Sequence, residues 1–319
     1  MKIAIFENDT VTKGDIDLSV LKALGDVSFY DYSSGQLLID RIGDAEIVFL
    51  NKSPMTADVI ESCPNIKYIG LFSTGFNTVD LNATNKKNIT VTNVPGYSTN
   101  AVAQHVFAFI LNHYSRISDY SKTVYEGDWI KSESFCYFHI PTYEISGLTI
   151  GIIGFGEIGR KVCEIAKAFD MKVLVHTRTV IKDYQNAEFV TLEELMRRSD
   201  IVSVHCPLNE KTRHIINKDT LSLMKKTAYL INTSRGGTVN EQELADALNS
   251  GVISGAGLDV IDTEPMLENN PLRLAKNCTI TPHIAWAPCQ TRQRLVDMVA
   301  DNFKAWLNGE PKNVVNIKN

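Results

Sequence analysis

Short apolar segments alternate with helical patterns along most of this chain, and this alternation limits the fold more than any other feature. In the first hundred residues the apolar segments are "KIAIF", "VSFYDY", "AEIVFLN", "KYIGLFS" and "ITVTN". Stretches with helical character, such as "IDLSVLKALG" and "TADVIESC", lie between them. Strands that alternate with helices predict a parallel sheet with helices packed on its faces. We therefore expect an α/β fold.

The alternation is interrupted once and then resumes. A long apolar helix is predicted within residues 94–116, and an aromatic-rich stretch without clear periodicity follows at 126–147. From Leu148 onward strands return as "LTIGIIG", "KVLVHTR", "IVSVHCP", "AYLINTS", "GAGLDV" and "CTITP", and a last helix begins near Pro288. The chain has 319 residues, and domains commonly contain about 150 residues. These observations predict two α/β domains with a boundary near Ser98.

Composition excludes several classes of protein. The formal net charge is −5 and no dense run of Lys and Arg occurs, so nucleic acid is not an expected partner. The six cysteines are scattered without a CxxC pair, which argues against a disulfide framework or a zinc site and fits a reducing cytoplasm. The start of the chain does not resemble a signal peptide, and no apolar run reaches about 18 residues. We expect a cytoplasmic protein without a metal or a membrane partner.

A glycine-rich fingerprint, "GIIGFGEIG", follows the first strand after the interruption. Gly154, Gly156 and Gly159 fit the GxGxxG pattern between a strand and a helix, which is the context that the motif requires. The glycines permit a tight turn, a close approach to a pyrophosphate and close packing of the helix on the strand. The helix N-terminus then presents N–H groups to the phosphates. This pattern favours a dinucleotide site over a purely structural glycine turn.

The strand that follows the fingerprint ends in an unusual way for such a site. An Asp or Glu about 20 residues past the fingerprint commonly binds the adenosine ribose. Here Thr177 stands at that place and Arg178 follows it. A small hydroxyl beside a guanidinium leaves room for a 2′-phosphate and can pair with it. The stretch favours NADP over NAD, and the alternative is a solvated arginine beside a permissive NAD site.

Three ionisable residues follow later strands, each near a strand end. Arg235 follows "AYLINTS", Glu264 follows "GLDVIDT" and His283 follows "CTITP". In open α/β sheets ligands bind outside the carboxyl ends of the strands. A histidine can donate a proton to a developing alkoxide, a carboxylate can support that histidine, and an arginine can orient a keto acid. The set predicts hydride transfer to a carbonyl. The alternatives are a structural histidine, a surface acid and a turn arginine.

The whole chain resembles the D-isomer-specific 2-hydroxyacid dehydrogenases. The motifs "GIIGFGEIGRKV", "NTSRGG", "GLDVIDTEP" and "TPHIAW" occur in the family's order and approximate spacing. The resemblance implies that Arg235, Glu264 and His283 are catalytic and that Asp259 binds the nicotinamide end. It also implies a Rossmann cofactor domain, residues 99–286, and a flavodoxin-like substrate domain, residues 1–98 and 287–319, with a cleft between them. Family members are usually homodimers, which fits the aromatic stretch at 126–147.

The same resemblance implies further contacts for both ligands. Thr74 and Gly75, in "FSTGFNTVD", look like the family's loop that binds the substrate carboxylate, and Lys52 lies where a basic or polar residue often approaches the substrate. Arg235 and His283 are expected to touch the substrate as well. The expected cofactor-binding residues are Gly154, Phe155, Gly156, Glu157, Ile158, Thr177, Arg178, Cys206, Pro207, Thr212, Thr233, Ser234 and Asp259.

Within the family, several segments look most like the bacterial glycerate dehydrogenase (hydroxypyruvate reductase) group. These segments are "TGFNTVD", "NVPGYSTNAVAQHVFAFIL" and "FCYFHIPTYEISGLTIGIIGFG". The expected reaction reduces hydroxypyruvate or glyoxylate to D-glycerate or glycolate. A broad-range or D-lactate-type dehydrogenase is the enzymatic alternative. An NAD(H)-sensing binding protein or corepressor is the alternative of another class, because such proteins retain a similar trio.

Overall fold

The computed structural model describes residues 1–181 and 184–316, and the chain divides into two compact units. The N-terminal unit comprises Met1–Ser98 together with Ala287–Asn319. The central unit comprises Thr99–Trp286. Each unit is built around its own parallel sheet, with five strands in the first and seven in the second. The expected fold class, two α/β domains with parallel sheets, is confirmed.

The N-terminal unit is a five-stranded sheet with the strand order β2-β1-β3-β4-β5. Its strands are β1 Lys2–Phe6, β2 Asp26–Tyr30, β3 Ile47–Leu50, β4 Tyr68–Leu71 and β5 Thr90–Thr92. All paired neighbours run parallel. Its first helices are α1 Asn8–Val11, α2 Ser19–Lys22, α3 Gly35–Ile42, α4 Ala57–Ser62 and α5 Leu81–Lys86. This order places the topological switch point, where ligands bind in such sheets, between β1 and β3.

Local chemistry explains where these elements begin and end. Every residue of β3 and β4 is buried, as expected for parallel strands covered on both faces. The side chains of Thr56 and Asp80 accept hydrogen bonds from the first turns of α4 and α5, respectively. Such N-caps satisfy backbone donors that the helix itself leaves unpaired.

The central unit is a seven-stranded parallel sheet with the strand order β12-β11-β10-β9-β6-β7-β8. Its strands are β6 Thr149–Ile153, β7 Lys172–His176, β8 Glu188–Phe189, β9 Ile201–Val204, β10 Tyr229–Asn232, β11 Gly255–Leu258 and β12 Cys278–Ile280. Its helices are α6 Thr99–Ser115, α7 Ile117–Tyr125, α8 Glu157–Ala168, α9 Leu192–Arg198, α10 Lys218–Ser222 and α11 Glu241–Asn249. The order from β8 to β11 is that of a Rossmann sheet, whose switch point lies between β6 and β9.

One strand of the central sheet was not predicted. The strand β8 contains only Glu188 and Phe189, neither of which is buried. A two-residue strand has no hydrophobic pattern to reveal it, and its pairing with β7 decides its conformation.

The aromatic-rich stretch at 126–147 contains neither helix nor strand in the structure. This agrees with the absence of a clear hydrophobic periodicity in its sequence.

The last helix, α12 Cys289–Leu307, completes the N-terminal unit. Its Phe303 and Trp306 rings pack on Tyr68 of β4, with ring centroids 5.3 and 5.1 Å apart. Phe303 also meets Phe49 of β3 edge to face at 5.6 Å. Gly70 makes room for this cluster, because a Cβ at Gly70 would lie 2.6 Å from the Phe49 ring.

In the part of the chain that the structure describes, no helix has the length and apolar character needed to cross a bilayer.

Candidate active site

The three fingerprint glycines perform three different tasks. Gly154 has a φ of 95°, and a Cβ there would lie 2.6 Å from the backbone N of Cys206. A Cβ on Gly159 would collide with the carbonyl oxygen of Gly154, so this glycine lets α8 pack closely on β6. At Gly156, by contrast, no described atom outside the two neighbouring residues in the chain lies within 4 Å of the Cβ position. The backbone of Gly156 is therefore open to a ligand.

The N-terminus of α8 fits a pyrophosphate. The helix begins at Glu157 after Gly156, an N-cap that brings no side chain to bond the first-turn N–H groups. Unpaired N–H groups and the positive end of the helix dipole favour an anion at this point. The open approach at Gly156 and these donors together match the dinucleotide that the fingerprint predicts.

The ribose end of the site lies after β7. Thr177 is half-buried and Arg178 is exposed, and no acid stands at either position. Among the residues that the structure describes, none forms an ion pair with Arg178. The guanidinium is therefore available to an anionic group.

The loop after β9 lies against the fingerprint turn, since a Cβ at Gly154 would come within 2.6 Å of the backbone N of Cys206. Thr212 Oγ1 donates a hydrogen bond to the carbonyl oxygen of Pro207 at 2.6 Å and accepts one from the N–H of Asn209 at 2.9 Å. Thr212 thus closes the turn that carries Cys206 and Pro207. Burial lowers the pKa of His205 to about 4, and its Nε2 atom lies 2.8 Å from Ser203 Oγ.

Arg235 lies on a tight turn, residues 232–238, which we call the arginine turn. The side chain of Asn232, only 1% exposed, accepts a hydrogen bond from the N–H of Ser234 at 3.0 Å and donates one to the carbonyl oxygen of Arg235 at 2.9 Å. Thr238 Oγ1 donates a second bond to that carbonyl at 2.7 Å. Asn232 was not among the predicted residues, although a polar residue closing a buried strand just before "TSRGG" was a usable signal.

The arginine turn packs directly on the chain segment that leads to Glu264. A Cβ on Gly236 would collide with the backbone of Ile261 and Asp262, and one on Gly237 would lie 2.8 Å from the carboxylate of Asp262. Backbone therefore meets backbone here, and the two loops are fixed relative to each other. This close contact explains the two glycines of the "RGG" motif, and its arginine is the residue that the resemblance predicts to be catalytic.

Thr233 lies in the same turn, and the environment of its hydroxyl is unusual. It is 9% exposed, and its Oγ1 has no hydrogen-bond partner among the described residues. A buried hydroxyl without a partner is costly. A polar group of a bound cofactor would remove this cost, which fits the predicted role of Thr233 in cofactor binding.

His283 and Glu264 form a close pair. The Nδ1 atom of His283 lies 2.6 Å from Oε2 of Glu264, and the side chains are 28% and 33% exposed. Glu264 Oε1 accepts a weaker hydrogen bond from the N–H of Ile261 at 3.3 Å. The carboxylate holds the imidazole ring through Nδ1, and Nε2 has no hydrogen-bond partner among the described residues, so it can exchange a proton with a ligand. This is the arrangement that a general acid requires.

Asp259 holds the loop that carries His283. Its carboxylate is 1% exposed and accepts hydrogen bonds from Thr281 Oγ1 at 2.6 Å and from the N–H groups of Ile284 and Ala285, both at 2.8 Å. Its carbonyl oxygen accepts the N–H of His283 at 2.8 Å. His283 itself has a φ of 55°, a left-handed conformation that is uncommon outside glycine. The contact of Asp259 with the nicotinamide end stays a prediction.

His105, on α6, extends this network and was not predicted. Its Nε2 atom lies 3.0 Å from Thr281 Oγ1, whose own proton goes to Asp259. The ring of His105 packs edge to face on Phe109 at 4.8 Å. Nothing in the sequence around His105 indicates this role, because its partners are distant along the chain and meet it only in the folded unit.

Three of the predicted substrate residues, Lys52, Thr74 and Gly75, lie in the N-terminal unit, after the neighbouring strands β3 and β4. Lys52 is exposed and forms no ion pair within the described ranges. The Thr74 hydroxyl donates to the carbonyl oxygen of Val94 at 2.8 Å, and Asn93 Nδ2 donates to the Thr74 carbonyl at 2.7 Å. No described acceptor takes the N–H of Thr74 or Gly75. These two N–H groups could bind a carboxylate, as predicted.

The fold and the central site define a class: an oxidoreductase with a dinucleotide-binding domain. Residues 107–285 match the model of the D-isomer specific 2-hydroxyacid dehydrogenase NAD-binding domain. The chain belongs to this family of dehydrogenases, and the resemblance seen in the sequence is confirmed.

Named relatives share nearly the whole length of the chain. A hydroxypyruvate reductase from Blautia hydrogenotrophica is 42% identical, covering 99% of this chain and 100% of the relative. A glycerate dehydrogenase from Methylorubrum extorquens is 40% identical over 87% of this chain and 88% of its own. The structure of an NADPH-dependent glyoxylate/hydroxypyruvate reductase from Sinorhizobium meliloti, in complex with NADP and malonate, superposes with a TM-score of 0.85 at 27% identity, covering 98% of this chain and 96% of that one.

Proposed function

We propose that this protein reduces hydroxypyruvate or glyoxylate to D-glycerate or glycolate. The observation that carries the proposal is the His283–Glu264 pair, 2.6 Å apart, beside the arginine turn. A supported histidine with one free nitrogen is a proton donor, and a neighbouring arginine suits a keto acid. The substrates named for the relatives support this choice of keto acid.

In the proposed reaction each residue of the trio has one task. When bound in the cofactor domain, a reduced nicotinamide would supply the hydride that the carbonyl carbon needs. His283 gives the proton on Nε2 to the developing alkoxide oxygen. Glu264 keeps the imidazole oriented through Nδ1, and Arg235 pairs with the substrate carboxylate and polarises the ketone.

The two units take different roles in this proposal. The central unit is the cofactor domain, because it carries the fingerprint, the arginine turn and the histidine pair. The N-terminal unit is the substrate domain, in which Thr74 and Gly75 offer N–H groups to the carboxylate and Lys52 adds a positive charge. The competing functions are a broad-range or D-lactate-type dehydrogenase and an NAD(H)-sensing binding protein.

One panel of assays tests the proposed function. Steady-state kcat/KM is measured for hydroxypyruvate, glyoxylate and pyruvate with NADH and with NADPH. We expect hydroxypyruvate or glyoxylate to exceed pyruvate by more than about 10-fold, which corresponds to about 1.4 kcal/mol of transition-state binding. A preference for pyruvate would establish the D-lactate-type alternative. Coenzyme binding without turnover of any keto acid would establish the binding protein.

We propose NADP(H) as the preferred coenzyme, on the basis of Thr177 and the unpaired Arg178. Replacing Arg178 by Ala is expected to weaken NADPH binding by about 10- to 100-fold, because a charge-assisted bond to the 2′-phosphate is lost. NADH binding should change little. The measurement is the dissociation constant of each reduced coenzyme by fluorescence titration. Equal losses for both coenzymes would contradict the assignment, and the exposed Arg273 offers a control variant, R273A.

We propose that the protein is a homodimer joined through the aromatic stretch at 126–147. Ile130, Phe135 and Phe138 are 89%, 87% and 82% exposed, a concentration of apolar surface that marks an association site. The double variant F135S/F138S is expected to shift the mass in light scattering from two chains to one. The control is L274S, which changes a side chain 83% exposed elsewhere in the central unit. A wild-type monomer, or a dimeric double variant, would overturn this proposal.

The cytoplasm is the compartment that we propose for this dehydrogenase. All six cysteines are free, and Cys289 is exposed. Free thiols persist in a reducing environment.

A further inference from the structure

Glu7 is a buried carboxylate that the proposed chemistry does not use. It follows β1 directly, and it is 0% exposed. Its backbone has a φ of 62°, so the chain bends sharply at this residue. A fully buried acid in a strand end demands an explanation, because removing a charge from water is costly unless several donors replace the water.

The donors come from a single turn after β3, residues 51–53, which we call the lysine turn. Glu7 Oε2 accepts hydrogen bonds from the N–H of Asn51 at 2.5 Å and from the N–H of Lys52. Glu7 Oε1 accepts a bond from Ser53 Oγ at 3.2 Å, and the N–H of Ser53 also interacts with the carboxylate. Consecutive N–H groups that converge on one anion form a nest. Here the protein supplies the anion itself.

The conformation of the lysine turn depends on the Glu7 carboxylate. Burial raises the pKa of Glu7, while the N–H groups of Lys52 and Asn51 oppose that rise. Ser53 is itself 0% exposed and accepts a hydrogen bond from the N–H of Ser33 at 3.3 Å. Removing the carboxylate would leave three N–H groups and a buried hydroxyl without this acceptor, and such losses are costly. The lysine turn would then loosen.

The position of this contact connects it with substrate. β1 and β3 are neighbours at the switch point of the N-terminal sheet, where ligands bind in folds of this kind. Glu7 reaches across that point from one strand end to the other. Lys52 lies in the middle of the turn, with its backbone fixed by Glu7 and its side chain exposed. Glu7 therefore fixes the backbone at Lys52, which is the residue of the lysine turn whose side chain is exposed and can reach a ligand.

We propose that Glu7 is a positioning residue, which fixes the lysine turn so that the Lys52 ammonium meets the carboxylate or hydroxyl group of the 2-keto acid. This inference rests on the proposed function, because it takes the substrate contact of Lys52 from there. Glu7 acts through Lys52 and does not touch the substrate.

A double-mutant cycle tests the inference. Lys52→Met is expected to raise the KM for hydroxypyruvate about 10-fold, equivalent to about 1.4 kcal/mol of binding. Glu7→Ala should raise this KM to a similar extent, and Glu7→Gln, which keeps one acceptor oxygen, should raise it less. The kcat and the KM for coenzyme should change less than about 2-fold in each case, since only uniform substrate binding is lost. The double variant Glu7→Ala/Lys52→Met should match Lys52→Met alone, because Glu7 acts through Lys52.

Two further measurements keep structural damage apart from positioning. Amide hydrogen exchange at residues 51–53 should accelerate in Glu7→Gln, which is the variant least prone to misfold. Asn316→Ala is the control: Asn316 is 5% exposed and bonds to Val91, Ile89 and Thr84 in the same unit, away from the lysine turn. It should cost stability without changing the KM for hydroxypyruvate.

Several results would overturn the inference. Additive KM effects in the double variant would mean that Glu7 does not act through Lys52. An unchanged KM in Lys52→Met or Glu7→Ala, or unchanged amide exchange in Glu7→Gln, would overturn it as well. If the unmodified enzyme turned over no keto acid, the proposed function would fail, and the exchange experiment alone would decide whether Glu7 anchors the turn.

Discussion

Replacing His283 by Ala is expected to lower kcat for hydroxypyruvate about 10²- to 10⁴-fold, the usual contribution of a positioned general acid. The dissociation constant of NADPH should stay nearly unchanged, because the proton donor acts on the keto acid in the transition state. Steady-state oxidation of NADPH measures the first quantity and fluorescence titration the second. The His283–Glu264 pair predicts that E264Q, which keeps the ring's neighbour but removes its charge, has a smaller effect than H283A.

The backbone at His283 calls for a matched control. His283 and His214 both lie in the central unit with a left-handed backbone, at φ values of 55° and 51°. The variant H214A therefore imposes the same change of residue type on the same strained conformation. It should keep its turnover. Retained turnover in H283A at pH 7, or an equal loss in H214A, would show that His283 is not the proton donor.

Replacing Arg235 by Gln is the second change with a large expected effect, a fall in kcat/KM of about 10²- to 10³-fold. The guanidinium is proposed to bind the carboxylate and to stabilise charge on the carbonyl oxygen, so both KM and kcat should suffer. Thermal unfolding should change little, because Arg235 is exposed and its side chain bonds only to the neighbouring Ser234 carbonyl among the described residues. Steady-state kinetics and a melting curve on one preparation give both readouts.

Two other variants separate the side chain of Arg235 from its turn. R235K keeps the charge but loses the planar pair of donors, so it should recover only part of the activity. G236A leaves the arginine in place and forces the backbone away from residues 261–262, so it should lose both activity and stability. Equal kcat/KM in R235Q and the wild type would remove Arg235 from the mechanism.

Much of the fold could be predicted because its signals are local. A strand of four or five buried apolar residues followed by a helix is visible in any window of the sequence, and the interruption at 94–147 separates the two sheets. The two-residue strand β8 could not be found in this way, since its conformation depends on pairing with β7. Which unit the last helix joins also had no local signal, because aromatic contacts with β3 and β4 decide it.

The residues of the candidate site likewise divide into those that have a local sequence signal and those that have none. Arg235, Glu264 and His283 could be proposed because each follows a strand end and carries a chemically distinctive side chain. The structure places His283 against Glu264, but the catalytic roles stay predictions. Residues that support the site were missed. His105 contacts Thr281 from a helix that is distant along the chain, and Glu7 looked like an ordinary polar residue after a strand. Such residues become visible only when the positions of their partners are known.

The path of the chain through the two units has a consequence for synthesis on the ribosome. The N-terminal unit begins the chain but receives α12 only after the entire central unit has been made. Until then, the Phe49 and Tyr68 side of its sheet lacks the Phe303 and Trp306 rings that cover it. The central unit, complete at Trp286, can finish folding first. The two units would then fold in the opposite order to their translation. The nascent N-terminal unit, whose sheet is not yet covered by α12, would be the species most exposed to aggregation and most in need of a chaperone.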